Sequence, residues 1–117
     1  MKDFKIRDPK LASQGRLQIE WATKHMPVLT QIKQRFGKER PFKNMTIGAC
    51  LHVTKETGAL VETFMAGGAE VALCGSNPLS TQDEIAARLA QENVHVFAWR
   101  AQKTDEYFGC IERTLDY

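Results

Sequence analysis

The chain has few of the residues that declare a function. It has three cysteines and three histidines in 117 residues, and they are scattered. Cys50, Cys74 and Cys110 form no C-x-x-C pair, which argues against a disulfide framework or a structural zinc site. They read as reduced, buried thiols of a cytoplasmic protein. Cys50-x-His52 offers too few ligands for a metal. No apolar run approaches the roughly 20 residues of a membrane helix. The opening Met1-Lys2-Asp3-Phe4-Lys5 lacks the apolar stretch of a secretory signal. No excess of one charge exists either. Sixteen Lys and Arg against fourteen Asp and Glu leave +2, too weak a bias to expect nucleic acid or a membrane surface as partner. No G-x-G-x-x-G follows a strand, and no P-loop or G-x-S-x-G element occurs.

What remains is an ordinary globular composition, 43% hydrophobic and 26% charged, with a clear rhythm. Asp8-Pro9 is a helix start. Leu11, Gly15, Ile19, Ala22 and Met26 then form one stripe at helical spacing. Pro27 begins a second helix with Leu29, Ile32 and Phe36 on its face and Gly37 as the expected C-cap. From Met45 short apolar runs alternate with helical patterns. The runs are Met45 to Leu51, Glu70 to Leu73 and Val94 to Trp99. Helices are predicted over Lys55 to Ala66, capped by Thr54 and ended by Gly67-Gly68, and over Thr81 to Gln91, where Thr81 and Glu84 have capping-box spacing. A last helix is predicted over Thr104 to Leu115. The fold class is therefore α/β. Two N-terminal helices precede three β–α units that form a partial parallel three-layer, Rossmann-like sheet.

In an open parallel sheet, ligands bind beyond the carboxyl ends of the strands. Two polar segments lie there: Leu51 to Thr57 and Gly75 to Asp83. His52, Thr54 and Glu56 alternate in the first. Asn77 and Gln82 in the second each offer a donor and an acceptor, which suits a heterocycle or a ribose. Each also has a plain reading. Thr54 and Thr81 serve as helix caps without any ligand, and Glu56 and Asp83 suit a helix N-terminus in any protein. A lone His52 is commonly structural, and Trp21 and Trp99 read as packing residues. The residues by themselves reach a polar pocket edge for a small polar ligand and no reaction.

The same two segments resemble a known family. Cys50-Leu51-His52-Val53-Thr54-Lys55-Glu56-Thr57 is similar to the C-L-H-x-T-x-E-T signature of the adenosylhomocysteinases, and Ser76 to Asp83 to their N-x-x-S-T-Q-D segment. Leu11-Ala12, Gly15-Arg16, Met26-Pro27, Phe97-Ala98-Trp99 and Glu106-Tyr107 match in order. The resemblance implies a hydrolase of the methylation cycle and one-carbon metabolism. It converts S-adenosylhomocysteine reversibly to adenosine and homocysteine, with tightly bound NAD. It implies that Thr54 and Glu56 bind adenine, with Glu56 accepting from the exocyclic amine. His52 then aids proton transfer at the leaving sulfur, Thr57 and Gln82 complete the nucleoside pocket, and Asn77 lies at its rim. Ser76 takes the place of the family's pocket thiol, which leaves Cys74 a buried strand residue.

Residues 1–117 are expected to be the N-terminal portion of the substrate-binding domain, with the NAD-binding domain absent. No cofactor is expected to bind this chain alone, and the chain alone is expected to be inactive. The complete enzyme is expected to be a homo-oligomer. The last strand is expected to leave an open sheet edge. Two alternatives stand beside this reading: a stand-alone or complementing nucleoside-binding module, and a related hydrolase of S-inosylhomocysteine.

Overall fold

The computed structural model describes residues 3–117; Met1 and Lys2, which open the segment read above for a leader, lie outside them. Asp8 accepts the Lys10 N–H at 2.9 Å and starts a 3-10 turn, Pro9–Leu11, that runs into α1, Ala12–Lys24. Pro27 opens α2, Pro27–Glu39. Three strand–helix units follow: β1 Thr46–Leu51, α3 Lys55–Ala66, β2 Glu70–Gly75, α4 Asp83–Gln91, β3 His95–Phe97 and α5 Thr104–Leu115. The strands are parallel in the order β1-β2-β3, with Leu51 level with Gly75.

Side chains alternate across β2, and the two faces serve different cores. Val71 and Leu73 pack with Val61, Ile85 and Leu89 from α3 and α4. Cys74 packs with Phe97 and Cys110, which brings α5 against the other face. β2 is buried on both faces from Val71 onward, whereas β1 alternates between exposed and half-buried residues, as an edge strand does. The layered α/β fold expected from the sequence is the one observed.

Helix α1 lies behind α3 and α4 and comes close to both at glycines. A Cβ on Gly15 would fall 1.9 Å from the Glu84 carbonyl oxygen, and one on Gly58 would fall 2.7 Å from Ile19 Cδ1. Both distances are below any real contact, so a side chain at Gly15 pushes α1 away from the α4 backbone, and one at Gly58 displaces the Ile19 side chain.

Four expectations are corrected. Helix α2 does not end at Gly37. It continues to Glu39, and Arg40 takes the left-handed position at φ 51°. Helix α4 begins at Asp83 with Gln82 as its N-cap, not at Thr81. The Val53 carbonyl holds the Gln82 N–H at 2.9 Å, which keeps residue 82 extended and leaves Thr81 buried outside the helix. Cys50 is exposed, because it lies on the edge strand β1, which has a neighbour on one side only. The outer edge of β3 is not open: the Lys5 N–H reaches the Val96 carbonyl at 2.8 Å, and the Ala98 N–H reaches the Lys5 carbonyl at 3.1 Å. Phe4 and Ile6 anchor that N-terminal segment in the core. Among the described residues the unpaired outer edge is that of β1.

One partly buried charge cluster joins the helices. Arg16, Glu20 and Lys24 of α1, Lys33 of α2, Glu62 of α3, and Arg88 and Glu92 at the end of α4 line a cavity of about 410 Å³. Lys33 pairs with Glu62 at 3.5 Å. Arg88 Nε lies 3.2 Å from Glu92 Oε1 without aligning as a hydrogen bond. Burial pushes the Glu92 carboxyl up to about 7, and the neighbouring Glu62 adds to the rise against Arg88 and Lys33.

Two outcomes are expected. Gly15→Ala destabilises the chain by about 2–3 kcal/mol through overpacking, whereas Gly37→Ala, with nothing within 4 Å of the new methyl, stabilises it by about 0.5–1 kcal/mol. Urea unfolding of both variants measures the contrast. The second concerns pH. Unfolded, Glu92 titrates near its ordinary 4.5; folded, it titrates near 7. Below the lower value it is protonated in both states. As pH rises from about 4.5 to 7 the unfolded chain releases a proton that the folded chain keeps, so stability falls. Glu92→Gln removes that loss, and its melting temperature is expected to exceed the parent's by about 5 °C at pH 8, with the gap closing towards pH 4.

Candidate functional site

Because β1 and β2 end level, their loops leave the sheet side by side. Two backbone bonds then tie the loops together. The Ser76 N–H donates to the Leu51 carbonyl at 3.1 Å, and the Gln82 N–H donates to the Val53 carbonyl at 2.9 Å. His52 sits between the two accepting residues. It is exposed, and its Nδ1 lies 2.8 Å from Ser80 Oγ.

Thr54 is the N-cap of α3, and its side-chain oxygen accepts the Thr57 N–H at 3.5 Å. Thr54 therefore does cap the helix, and Thr57 enters the first turn with its backbone committed to that cap. Glu56 is exposed on the same turn. The bond from its own backbone N–H holds its carboxyl below the usual range, and Lys55, whose Nζ is 3.3 Å from Glu56 Oε1, lowers it further. Glu56 is thus an ionised acceptor beside a helix N-terminus, where the dipole favours it.

In the second loop Asn77 is exposed and structural in part: its Oδ1 accepts the Leu79 N–H at 2.7 Å, closing a turn that orients the loop. Gln82 is half-buried. Its Oε1 is shielded from solvent and has no hydrogen-bond partner. Gln82 lines a cavity of about 340 Å³ with Gln18, Trp21, Lys55 and Glu84. The fold therefore gathers the sequence-derived residues into two neighbouring groups. His52 stands with the β2–α4 loop, and the α3 N-terminus stands with Gln82.

Sequence reasoning missed three members of this surface. Ser80, which engages His52, was visible only as the serine of the N-x-x-S-T-Q-D segment, with no role attached to it. Trp21 was read as packing, yet it is 54% exposed, stacks on His25 at 4.0 Å and has the Lys55 ammonium 5.7 Å from its ring. Lys55 was not singled out. Trp99 does pack, against the Phe97–Cys110 core, with Lys5 over its ring at 5.1 Å. Cys74 is buried as expected, and desolvation pushes its thiol up to about 11, which makes it inert. Among the described residues no three His, Cys, Asp or Glu side chains are grouped to hold a metal ion, and no helix is long and apolar enough to cross a membrane.

Residues 3–117 match the family model of S-adenosyl-L-homocysteine hydrolase. The chain is 56% identical over 115 residues to an adenosylhomocysteinase of Sulfolobus acidocaldarius, covering 98% of this chain and 28% of that protein. It is 54% identical over 117 residues to an adenosylhomocysteinase of Pyrobaculum aerophilum, covering all of this chain and 27% of that protein. It is also 55% identical over 115 residues to an S-inosyl-L-homocysteine hydrolase of Methanopyrus kandleri, covering 98% of this chain and 27% of that protein. The chain thus spans a little over a quarter of the length of these curated relatives. With both loop motifs placed at the ends of β1 and β2, the chain belongs to the S-adenosyl-L-homocysteine hydrolase family.

Proposed function

We propose that the chain supplies the base-reading side of the nucleoside site of an adenosylhomocysteinase. The observation that carries this reading is the position of Glu56. It is an ionised, exposed acceptor on the first turn of α3, next to the loop that holds Gln82 with a free carbonyl oxygen. A carboxylate accepts from the exocyclic amine of adenine and repels the carbonyl oxygen that hypoxanthine carries in its place. Gln82 adds a second polar contact to the ring, and Thr54 and Thr57 hold the helix start from which Glu56 projects. Asn77 shapes the facing rim. His52 moves a proton at the sulfur of the leaving homocysteine.

NAD supplies the redox chemistry of such an enzyme. The described residues do not fit a dinucleotide: the β1–α3 turn is Leu51-His52-Val53-Thr54, where close approach of a pyrophosphate requires glycine. No step is therefore assigned to the cofactor here, and the chain by itself is proposed to bind and not to turn over. The whole enzyme would act in the cytoplasm, in one-carbon metabolism, as a homo-oligomer whose partners are small molecules rather than nucleic acid or membrane.

Both adenosyl and inosyl hydrolases are among the relatives, so the base is the point to test. Calorimetric titration of the purified chain is expected to show adenosine binding with inosine rejected. Glu56→Gln is expected to weaken adenosine about tenfold, the worth of one charge-assisted hydrogen bond, and to narrow the gap to inosine. Equal affinity for the two nucleosides, or an adenosine affinity indifferent to Glu56→Gln, contradicts the reading of Glu56. No heat with either nucleoside, from a chain that circular dichroism shows to be folded, contradicts the proposal that these residues form a binding half-site.

A further inference from the structure

An exposed imidazole on a loop ordinarily turns freely and offers either nitrogen to its surroundings. His52 is held far more tightly than its exposure implies. The carbonyls on both sides of it, Leu51 and Val53, are bonded to the second loop through Ser76 and Gln82. The stretch of loop between those donors is stiff. The Leu79 N–H is taken by Asn77 Oδ1 at 2.7 Å, and the Pro78 carbonyl accepts the Gln102 N–H at 2.9 Å. Ser80 is half-buried on this stiff stretch, so its hydroxyl is presented to His52 Nδ1 at 2.8 Å from a fixed place. Among the described residues no hydrogen-bond partner is found for Nε2 of the same ring.

We infer that Ser80 is a positioning residue for His52: its hydroxyl occupies Nδ1, fixes the orientation of the ring, and leaves Nε2 as the nitrogen that exchanges a proton with a ligand. This rests on the reading of His52 as the proton-transfer group. The chemistry of the partner suits the task. A hydroxyl both donates and accepts, so it stays bonded to Nδ1 whether that nitrogen carries a hydrogen or a lone pair. A proton gained or lost at Nε2 therefore does not break the bond that orients the ring. A carboxylate or a carbonyl oxygen, acceptors only, would hold Nδ1 in its protonated form alone. The loops are thereby coupled: Ser80, on the β2–α4 loop, sets the geometry of a group on the β1–α3 loop.

The regiochemistry of alkylation tests this without any nucleoside. Bromoacetate carboxymethylates histidine at either ring nitrogen, and cleavage after Lys43 and Lys55 isolates a peptide of residues 44–55 whose one histidine is His52. The parent chain is expected to give the Nε2 product, because Ser80 Oγ shields Nδ1. In Ser80→Ala both products are expected, with the Nε2 excess about fivefold smaller, the factor that one neutral hydrogen bond sustains. Ser80→Thr keeps the hydroxyl and is expected to restore the parent ratio. A side chain that shields Nδ1 by bulk alone predicts that Ser80→Val, which fills the space without a hydroxyl, also keeps the parent ratio, whereas a positioning hydroxyl predicts that Ser80→Val behaves as Ser80→Ala. The same ratio in parent and Ser80→Ala, or abundant Nδ1 product in the folded parent, overturns the inference. Either result stands apart from the calorimetry: adenosine selectivity can survive it, and the alkylation pattern can hold in a chain that binds no nucleoside.

Discussion

Two backbone hydrogen bonds, Ser76 N–H to the Leu51 carbonyl and Gln82 N–H to the Val53 carbonyl, decide where everything else at the candidate site stands. The first extends the β1–β2 ladder past the last strand pair, Leu51 with Gly75. The second closes the loops again at the mouth of α4. Between them lie His52 on one side and the Asn77–Thr81 stretch on the other. The second bond also explains why Gln82, and not Thr81, caps α4. With its N–H engaged by Val53, residue 82 is extended at ψ 109°, and the helix starts after it. Thr81 is pressed inward instead, its hydroxyl 3.2 Å from where a side chain on Gly75 would begin. A glycine at position 75 is what lets the buried Thr81 lie against the end of β2.

The helices behind the sheet make that clamp possible. α3 and α4 begin at the two loops, so their separation fixes the width of the site. α1 packs on both, at Gly15 against the α4 backbone and through Ile19 against Gly58 of α3. The charged cavity at the far ends, with Glu62 and Glu92 facing Lys33 and Arg88, spans the same two helices. Close packing at the glycines and charge at the cavity both act on the helix pair whose N-termini carry Glu56 and Gln82. The residues proposed to read the base therefore stand on rigid elements, and His52 stands on a loop made rigid by its neighbour.

Much of this was legible in the sequence because it is local. The bounds of α3 and α5 follow from periodicity and end signals, and the observed helices occupy the predicted spans. The parallel sheet followed from the alternation of strands and helices. The two polar segments follow the apolar runs directly, which is why they fall at the strand ends. What was not legible depends on contacts between distant residues. The Lys5 bridge to β3 joins residues some ninety positions apart, and nothing in Phe4-Lys5-Ile6 marks it as a strand edge. Thr81 had the spacing of a cap, and a tertiary bond to Val53 overrode it. Gly37 looked like a helix end because glycine favours one, but Arg40 took the left-handed turn and the helix ran on. Cys50 and Trp21 looked like core residues by type. They are exposed because β1 is an edge and because Trp21 lies outside the Gly15–Ile19–Ala22 stripe of α1. Ser80 stood out only as the serine of the N-x-x-S-T-Q-D segment, without a role, since it becomes a partner for His52 only through the register of β1 with β2.

The central claim is that the two loops form one clamped unit before any ligand arrives. Native-state hydrogen exchange, residue by residue, reads it directly. The Ser76 and Gln82 amides lie in loops, where exchange is ordinarily fast, yet each is bonded to the neighbouring loop. The account predicts that both amides exchange as slowly as Leu73 in the central strand and open only with global unfolding. Exchange of Ser76 and Gln82 at the rate of exposed loop amides, while Leu73 stays protected, would contradict it.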